Sequence, residues 1–199
     1  RERRFVYPDQ VAVLGVGTPE VDEMESEFVA RDDRRLQVRP IRPTDEDMMR
    51  DMFYGLAEKT VYLRFFHKMA AMPHEELQKY TVVDYDRRLA LVAVDGSAGH
   101  DAIIAVARYV IDPATRSADV AFVLRDDWQR QGVGTYMFEQ LIEFGRQHGA
   151  VEFTADVLAE NAGMIKLFYK CALGAVESTL AQGEYRLSFK VPSLEAPVL

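Results

Sequence analysis

Val120-Ala121-Phe122-Val123-Leu124 leads directly into Arg125-Asp126-Asp127-Trp128-Gln129-Arg130-Gln131-Gly132-Val133-Gly134-Thr135. A short apolar run bounded by turn residues reads as a buried strand. The polar turn then opens a segment of helical periodicity. A loop at that junction gathers its own amides and the unpaired N–H groups of the first helical turn around one point, at the positive end of the helix dipole, which suits a phosphate anion. Gly132 and Gly134 allow close backbone approach or a positive φ. A Walker loop needs Gly-Lys-Ser/Thr, and a dinucleotide fingerprint needs a third glycine three residues after the second. Here Gly134 is followed by Thr135-Tyr136-Met137, so neither fits.

Beyond the loop, Met137, Phe138, Leu141, Ile142 and Gly145 recur at helical spacing, and Gly149 is placed to end the helix. Residues 151–157 alternate apolar and polar and predict a strand. Strand, loop, helix and strand make a right-handed crossover. Asn161 then caps a second helix that runs toward Cys171 with Ile165, Phe168 and Ala172 on one stripe.

Gln129-x-x-Gly132-x-Gly134 resembles the Gln/Arg-x-x-Gly-x-Gly/Ala signature of the GNAT superfamily of N-acetyltransferases, and the stretch from Asn161 resembles that superfamily's second CoA segment. Tyr62-Leu63-Arg64-Phe65-Phe66, residues 83–94, Asp126-Asp127-Trp128-Gln129 and Val157-Leu158-Ala159-Glu160-Asn161 narrow the similarity to the acetyltransferase domain of bacterial protein lysine acetyltransferases, over residues 36–191. The resemblance implies acetyl-CoA as cosubstrate. It implies contacts from Phe122, Val123 and Leu124 at the strand end, where a backbone amide near Val123 and Leu124 holds the thioester carbonyl. It implies further contacts from Gln129, Arg130, Gln131, Gly132, Val133, Gly134 and Thr135 in the loop, and from Asn161, Met164 and Phe168 on the second helix. Phe168 stands where many members carry the tyrosine that protonates the departing thiolate. Tyr169 is one residue on, about 100° around a helix.

A thioester is already activated, so a catalyst must position an amine, take its proton and stabilise the oxyanion. A lysine amine, with a pKa of about 10.4, benefits from a general base. Similar enzymes carry a glutamate in an Ala-Glu-x-Ala pattern, read here as Ala118-Asp119-Val120-Ala121, so Asp119 is the first candidate. Asp156 and Glu160 are the alternatives. The 62–66 cluster either shapes the acceptor channel or packs the core. His67, His74, His100 and His148 show no metal-ligand spacing, so no metal is expected. Cys171 reads as a small core residue.

Before the loop, residues 36–42 alternate as a first strand and Thr44 is placed to cap a helix from Asp45. Residues 60–66 are ambiguous, and residues 73–80 predict a short helix. Residues 89–94, 102–111 and 118–124 predict three strands joined by turn-rich loops as an antiparallel meander. Residues 184–191 predict a closing strand. The order of elements predicts a mixed α/β class with a central, partly antiparallel sheet, and the resemblance implies a GNAT fold of six to seven strands and about four helices. Residues 36–192 form the GNAT domain. Residues 1–35 read as a linker or extension from a longer polypeptide, and residues 193–199 as a tail. Gly15-x-Gly17 lacks the remainder of a dinucleotide fingerprint.

The 199 residues, 48% hydrophobic and 28% charged, suffice for one core. A single cysteine excludes a disulfide framework and points to a reduced cytoplasm. No apolar run is long enough to span a membrane. A net charge of −8 argues against nucleic acid as partner and for attraction to basic, lysine-bearing surfaces. The resulting expectation is acetyl transfer from acetyl-CoA to a protein lysine, such as one on an acyl-CoA synthetase, with an upstream CoA-using domain as a fused partner. The competing expectations are an acyl-CoA sensor with little turnover and a small-molecule amine acetyltransferase.

Overall fold

A computed structural model describes residues 24–85 and 87–192. Gly15, Gly17 and the tail at 193–199 lie outside the described residues. The strands are β1 (Ser26–Val29), β2 (Arg35–Pro40), β3 (Arg88–Asp95), β4 (Ala102–Ile111), β5 (Ser117–Leu124), β6 (Glu152–Leu158), β7 (Glu177–Ala181) and β8 (Glu184–Lys190). The helices are α1 (Glu46–Tyr54), α2 (Glu58–Phe65), α3 (His74–Thr81), α4 (Val133–Gln147) and α5 (Ala162–Cys171). One eight-stranded sheet runs in the order β1-β2-β3-β4-β5-β6-β8-β7. Every neighbouring pair is antiparallel except β5 and β6, which α4 joins as the crossover requires.

Side-chain alternation along the strands builds two cores. On one face Leu89, Leu91, Ala107, Val120, Phe153 and Phe189 pack against Met137, Phe138 and Leu141 of α4 and Phe168 of α5. On the other, Ala90, Val92, Val94, Ile103 and Val106 pack against Met49, Met52 and Phe53 of α1, Val61 of α2 and Leu77 of α3. Both layers are needed because the central strands are buried on both faces: Leu89, Ala90, Leu91, Val92 and Ala93 are 0–1% exposed.

Three expectations need correction. The stretch at 1–35 is not all linker: its described part contains β1, which pairs with β2 from Ser26↔Val38 to Val29↔Arg35. Phe28 packs inward while Glu27 and Val29 face solvent, so four residues suffice for an edge strand. Thr44 caps nothing; residues Pro43–Asp45 form a 3-10 turn, and Asp45 closes it by accepting the Arg42 N–H at 2.7 Å. The ambiguous stretch at 60–66 is helical, and it ends at Phe66 in the left-handed region (φ 66°). With β7 as well, the sheet exceeds the expected strand count.

Asp45 also fixes the sheet to α1. It receives Arg39 Nη1 at 2.7 Å and Nη2 at 2.9 Å, and both side chains are almost fully buried. Removing one partner of such a pair leaves an uncompensated buried charge. Asp45→Ala is therefore expected to cost about 3–5 kcal/mol in urea denaturation, and Arg39→Met with Asp45→Leu together much less.

Candidate functional site

The parallel pairing of β5 with β6 covers only Ser117↔Glu152, Ala118↔Phe153 and Asp119↔Thr154. Past it, β5 keeps only β4 and β6 keeps only β8, so the sheet opens into a cleft of about 280 Å³. Leu63–Phe66 at the end of α2, Asp119–Phe122, Asp156, Val157, Asn161 and Met164 line it. The Arg125 N–H donates to the Ile104 carbonyl at 2.9 Å, which marks Ile104 and Arg125 as a hydrogen-bonded pair of the ladder. Antiparallel ladders alternate such pairs with outward-facing ones. The backbone amides of Phe122 and Leu124 therefore point away from β4, toward the opening, whereas that of Val123 points at β4. Of the expected pair, Leu124 offers its amide to the opening and Val123 does not, while Phe122 adds a second outward amide.

At the cleft's end, the loop after β5 is held from behind by the β1–β2 hairpin. The Arg31 N–H donates to the Gln131 carbonyl at 3.2 Å and Arg31 Nη1 to the Arg130 carbonyl at 3.3 Å. Because trans peptides are planar, the N–H groups of Gln131 and Gly132 face the opposite way, toward the loop's open side. Arg34 lies 3.4 Å over the buried Trp128 ring and donates to the Asp127 carbonyl at 3.2 Å. Phe28 stacks on Tyr136 at 4.8 Å, and the Tyr136 hydroxyl donates to Ser26 Oγ at 2.8 Å. Asp126 ties the same loop to α2 by accepting the Ala57 N–H and the Thr60 hydroxyl at 3.0 and 2.6 Å.

Gly132 is the N-cap of α4 at φ 90°, and the first intrahelical bond is Tyr136 N–H to the Gly132 carbonyl at 3.1 Å. The amides of Gly132, Val133, Gly134 and Thr135 are consequently free for an anion. Gly134 has no positive φ; its Cα faces Leu167 of α5. Val133 is buried, so only its backbone is available. The Thr135 hydroxyl accepts Lys170 Nζ at 3.2 Å, and Gln129 donates to Asp126 at 3.3 Å, so both side chains brace the loop. Arg130, also left-handed at φ 63°, is exposed beside it.

Asn161 caps α5, its Oδ1 accepting the Met164 N–H at 3.1 Å, and both residues border the cleft. Phe168 does not. It is fully buried against Phe138 and Phe189, with ring centroids at 5.7 and 5.1 Å, and cannot reach a cosubstrate. Tyr169 turns to solvent, 49% exposed. Burial pushes the Cys171 thiol up to about 11, which fits a packed, unreactive group.

Of the three candidate bases the structure brings two together. Asp119 Oδ1 accepts the Thr154 hydroxyl at 3.0 Å and Arg186 Nη1 at 3.4 Å; Arg186 Nη1 also donates to Asp156 Oδ2 at 2.7 Å and Nη2 to Thr154 Oγ1 at 3.2 Å. Glu160 is exposed and lies outside the cleft lining. Desolvation at the cleft floor pushes the Asp119 carboxyl above its ordinary value, opposed by the Thr154 bond and the Arg186 charge and reinforced by Asp156. The side chain is still 56% exposed, so an amine has access to it. Thr154 and Arg186 went unnoticed in the sequence, although both occupy the polar positions of otherwise apolar alternating strands. No group of three or more His, Cys, Asp or Glu able to hold a metal occurs among the described residues.

The acetyltransferase (GNAT) family profile matches residues 51–173, more than half of the chain. The chain belongs to this family. It is 32% identical over 141 residues to acetyltransferase Pat of Mycolicibacterium smegmatis, an alignment covering 70% of this chain and 40% of that protein, so the chain spans well under half of that relative. An acetyltransferase of Pseudomonas aeruginosa is 26% identical over 73% of this chain and 77% of its own length. The crystal structure of the GNAT domain of S. lividans PAT superposes with a TM-score of 0.76 at 26% identity, covering 94% of this chain and all of that domain. GNAT enzymes draw on acetyl-CoA, and the loop, the split and the outward amides of this chain are arranged to receive its pyrophosphate and thioester.

Gly132→Ala should weaken acetyl-CoA binding by at least about tenfold in calorimetry. Its Cβ would sit 3.3 Å from the Phe28 ring in a backbone conformation that costs an L-residue about 1–2 kcal/mol.

Proposed function

We propose that the protein transfers the acetyl group of acetyl-CoA directly to an amine, most specifically a protein lysine, within a ternary complex. The observation that carries this reading is Asp119, which sits at the last β5–β6 pair where the sheet opens. There it lines the cleft together with Leu63–Phe66 at the end of α2, the side from which the acceptor amine approaches. The resemblance of residues 62–66, 83–94, 126–129 and 157–161 to bacterial protein lysine acetyltransferases supports a protein lysine over a small amine, with an acyl-CoA synthetase as an acceptor of the right kind and a CoA-using domain as a fused partner.

Asp119 takes one proton from the lysine ammonium, directly or through one water, and the neutral amine nitrogen then bonds to the thioester carbon. The Phe122 and Leu124 amides stabilise the oxyanion. The carbon–sulfur bond then breaks, and the second proton of the former ammonium leaves the nitrogen for solvent. The leaving thiol has a pKa of about 8.5, so it departs as thiolate without a neighbouring acid, and a phenylalanine at 168 is no obstacle to turnover. Arg186 holds the Asp119 carboxyl at the cleft and favours its ionised form against the desolvation that opposes it.

Free CoA released with a lysine-bearing acceptor, together with acetyl-CoA titration, tests the proposal. Asp119→Asn should lower kcat by about 10²–10⁴-fold with acetyl-CoA affinity retained. Binding without release from any acceptor would favour the sensor reading instead. The acid limb of the kcat/KM profile should report Asp119, since only its ionised form accepts a proton. Arg186→Gln removes a charge that favours that form and should move the limb to higher pH. Asp156→Asn removes a like charge and should move it lower.

A further inference from the structure

Next to the cleft, on the α1–α3 face, lies a recess of about 40 Å³ that shares Arg64, Phe65 and Ala121 with it. Its lining is otherwise apolar, from Met49, Met52 and Phe53 to Val106 and Val123, except for Arg64 of α2, Arg108 of β4 and Tyr80 of α3. Both guanidinium groups rest on aromatic rings: Arg64 lies 4.9 Å from the Phe65 centroid and Arg108 4.9 Å from that of Tyr80. The rings themselves meet edge to face at 6.4 Å.

Neither guanidinium has a hydrogen bond or an ion pair among the described residues. The contrast with other arginines is sharp. Arg39, buried on the same face, is clasped by Asp45, and the more exposed Arg34, Arg42 and Arg125 hold carboxylates at 2.7, 2.7 and 2.9 Å. Burial pushes the Arg64 and Arg108 groups below their ordinary values, as expected for cations with too little compensation. Asp119 lies near enough to act on both, but not within the 4.0 Å of an ion pair. A half-buried cation without a partner is costly, and a planar carboxylate is the group that a guanidinium fork fits best.

We infer that Arg64 and Arg108 form an acceptor subsite for a carboxylate carried on a short aliphatic stub, beside the amine that is acetylated. The inference deepens the proposed function and rests on its assignment of this face to the acceptor. A volume of about 40 Å³ holds only a few water-sized groups, which suits a side-chain or small-molecule carboxylate rather than a long chain. It also gives the amine's neighbourhood a role: an acceptor that brings its own anion offsets the two cations that would repel a lysine ammonium arriving alone.

Two arms test this with the whole chain. In the first, butyrate and butyramide are titrated by NMR. Butyrate should bind at least about tenfold more tightly, and Arg108→Gln should abolish the difference while still binding acetyl-CoA, which reports an intact fold. In the second, acetylation is compared for lysine peptides that differ only in a flanking Glu or Gln. A preference for the Glu peptide, with butyrate as competitor, identifies a neighbouring side chain as the source. Butyrate binding with no peptide preference identifies a small-molecule carboxylate. Equal binding of butyrate and butyramide, with acetyl transfer intact, overturns the subsite. Butyrate binding with no transfer to any amine sinks the transferase reading and leaves the carboxylate site standing.

Discussion

Strands β5 and β6 share three residue pairs and then part, each keeping only its outer neighbour. Backbone groups in the middle of a sheet are almost always paired, so a gap at its centre leaves donors that something else must satisfy. The Phe122 and Leu124 amides are such donors. The crossover through α4 decides where the gap lies, because the helix starts at the same end of β5 and brings its own unpaired amides to the opening. Both sets of unpaired amides follow from one topological feature.

A loop whose amides must all point outward is an unstable object unless its carbonyls are held. The β1–β2 hairpin does this through Arg31 on two carbonyls and Arg34 over Trp128. Asp126 adds a tie to α2, the helix that forms the opposite wall. The loop and α2 are therefore mechanically joined, while Arg186 fixes the carboxylate proposed as the base by bridging Asp119 to Asp156. Preorganisation of this kind spares the site from rearranging as charge develops.

The crossover, the loop and the Asn161 cap were legible because each is written in a continuous stretch whose spacing carries the meaning. Contacts made by distant residues were not. Ser26-Glu27-Phe28-Val29 has too few alternations to announce a strand, and its worth lies in what Phe28 meets beyond a hundred residues of chain. The resemblance of the stretch from Asn161 places Phe168 at the cosubstrate, but helix rotation turns it into the core and leaves Met164 at the cleft. Glu160 neighbours the cap in sequence but is exposed and outside the cleft lining. Arg108 interrupts an apolar ten-residue strand, a signal that was present in the sequence and needed the facing Arg64 to acquire meaning.

The most direct test is a crystal structure of the acetyl-CoA complex. The account requires the pyrophosphate against the amides of residues 131–135 and the thioester oxygen within hydrogen-bond distance of the Phe122 or Leu124 amide, with the acetyl carbon facing Asp119. A cosubstrate bound outside the β5–β6 opening, or one whose thioester lies on the far side of the sheet from Asp119, would contradict it.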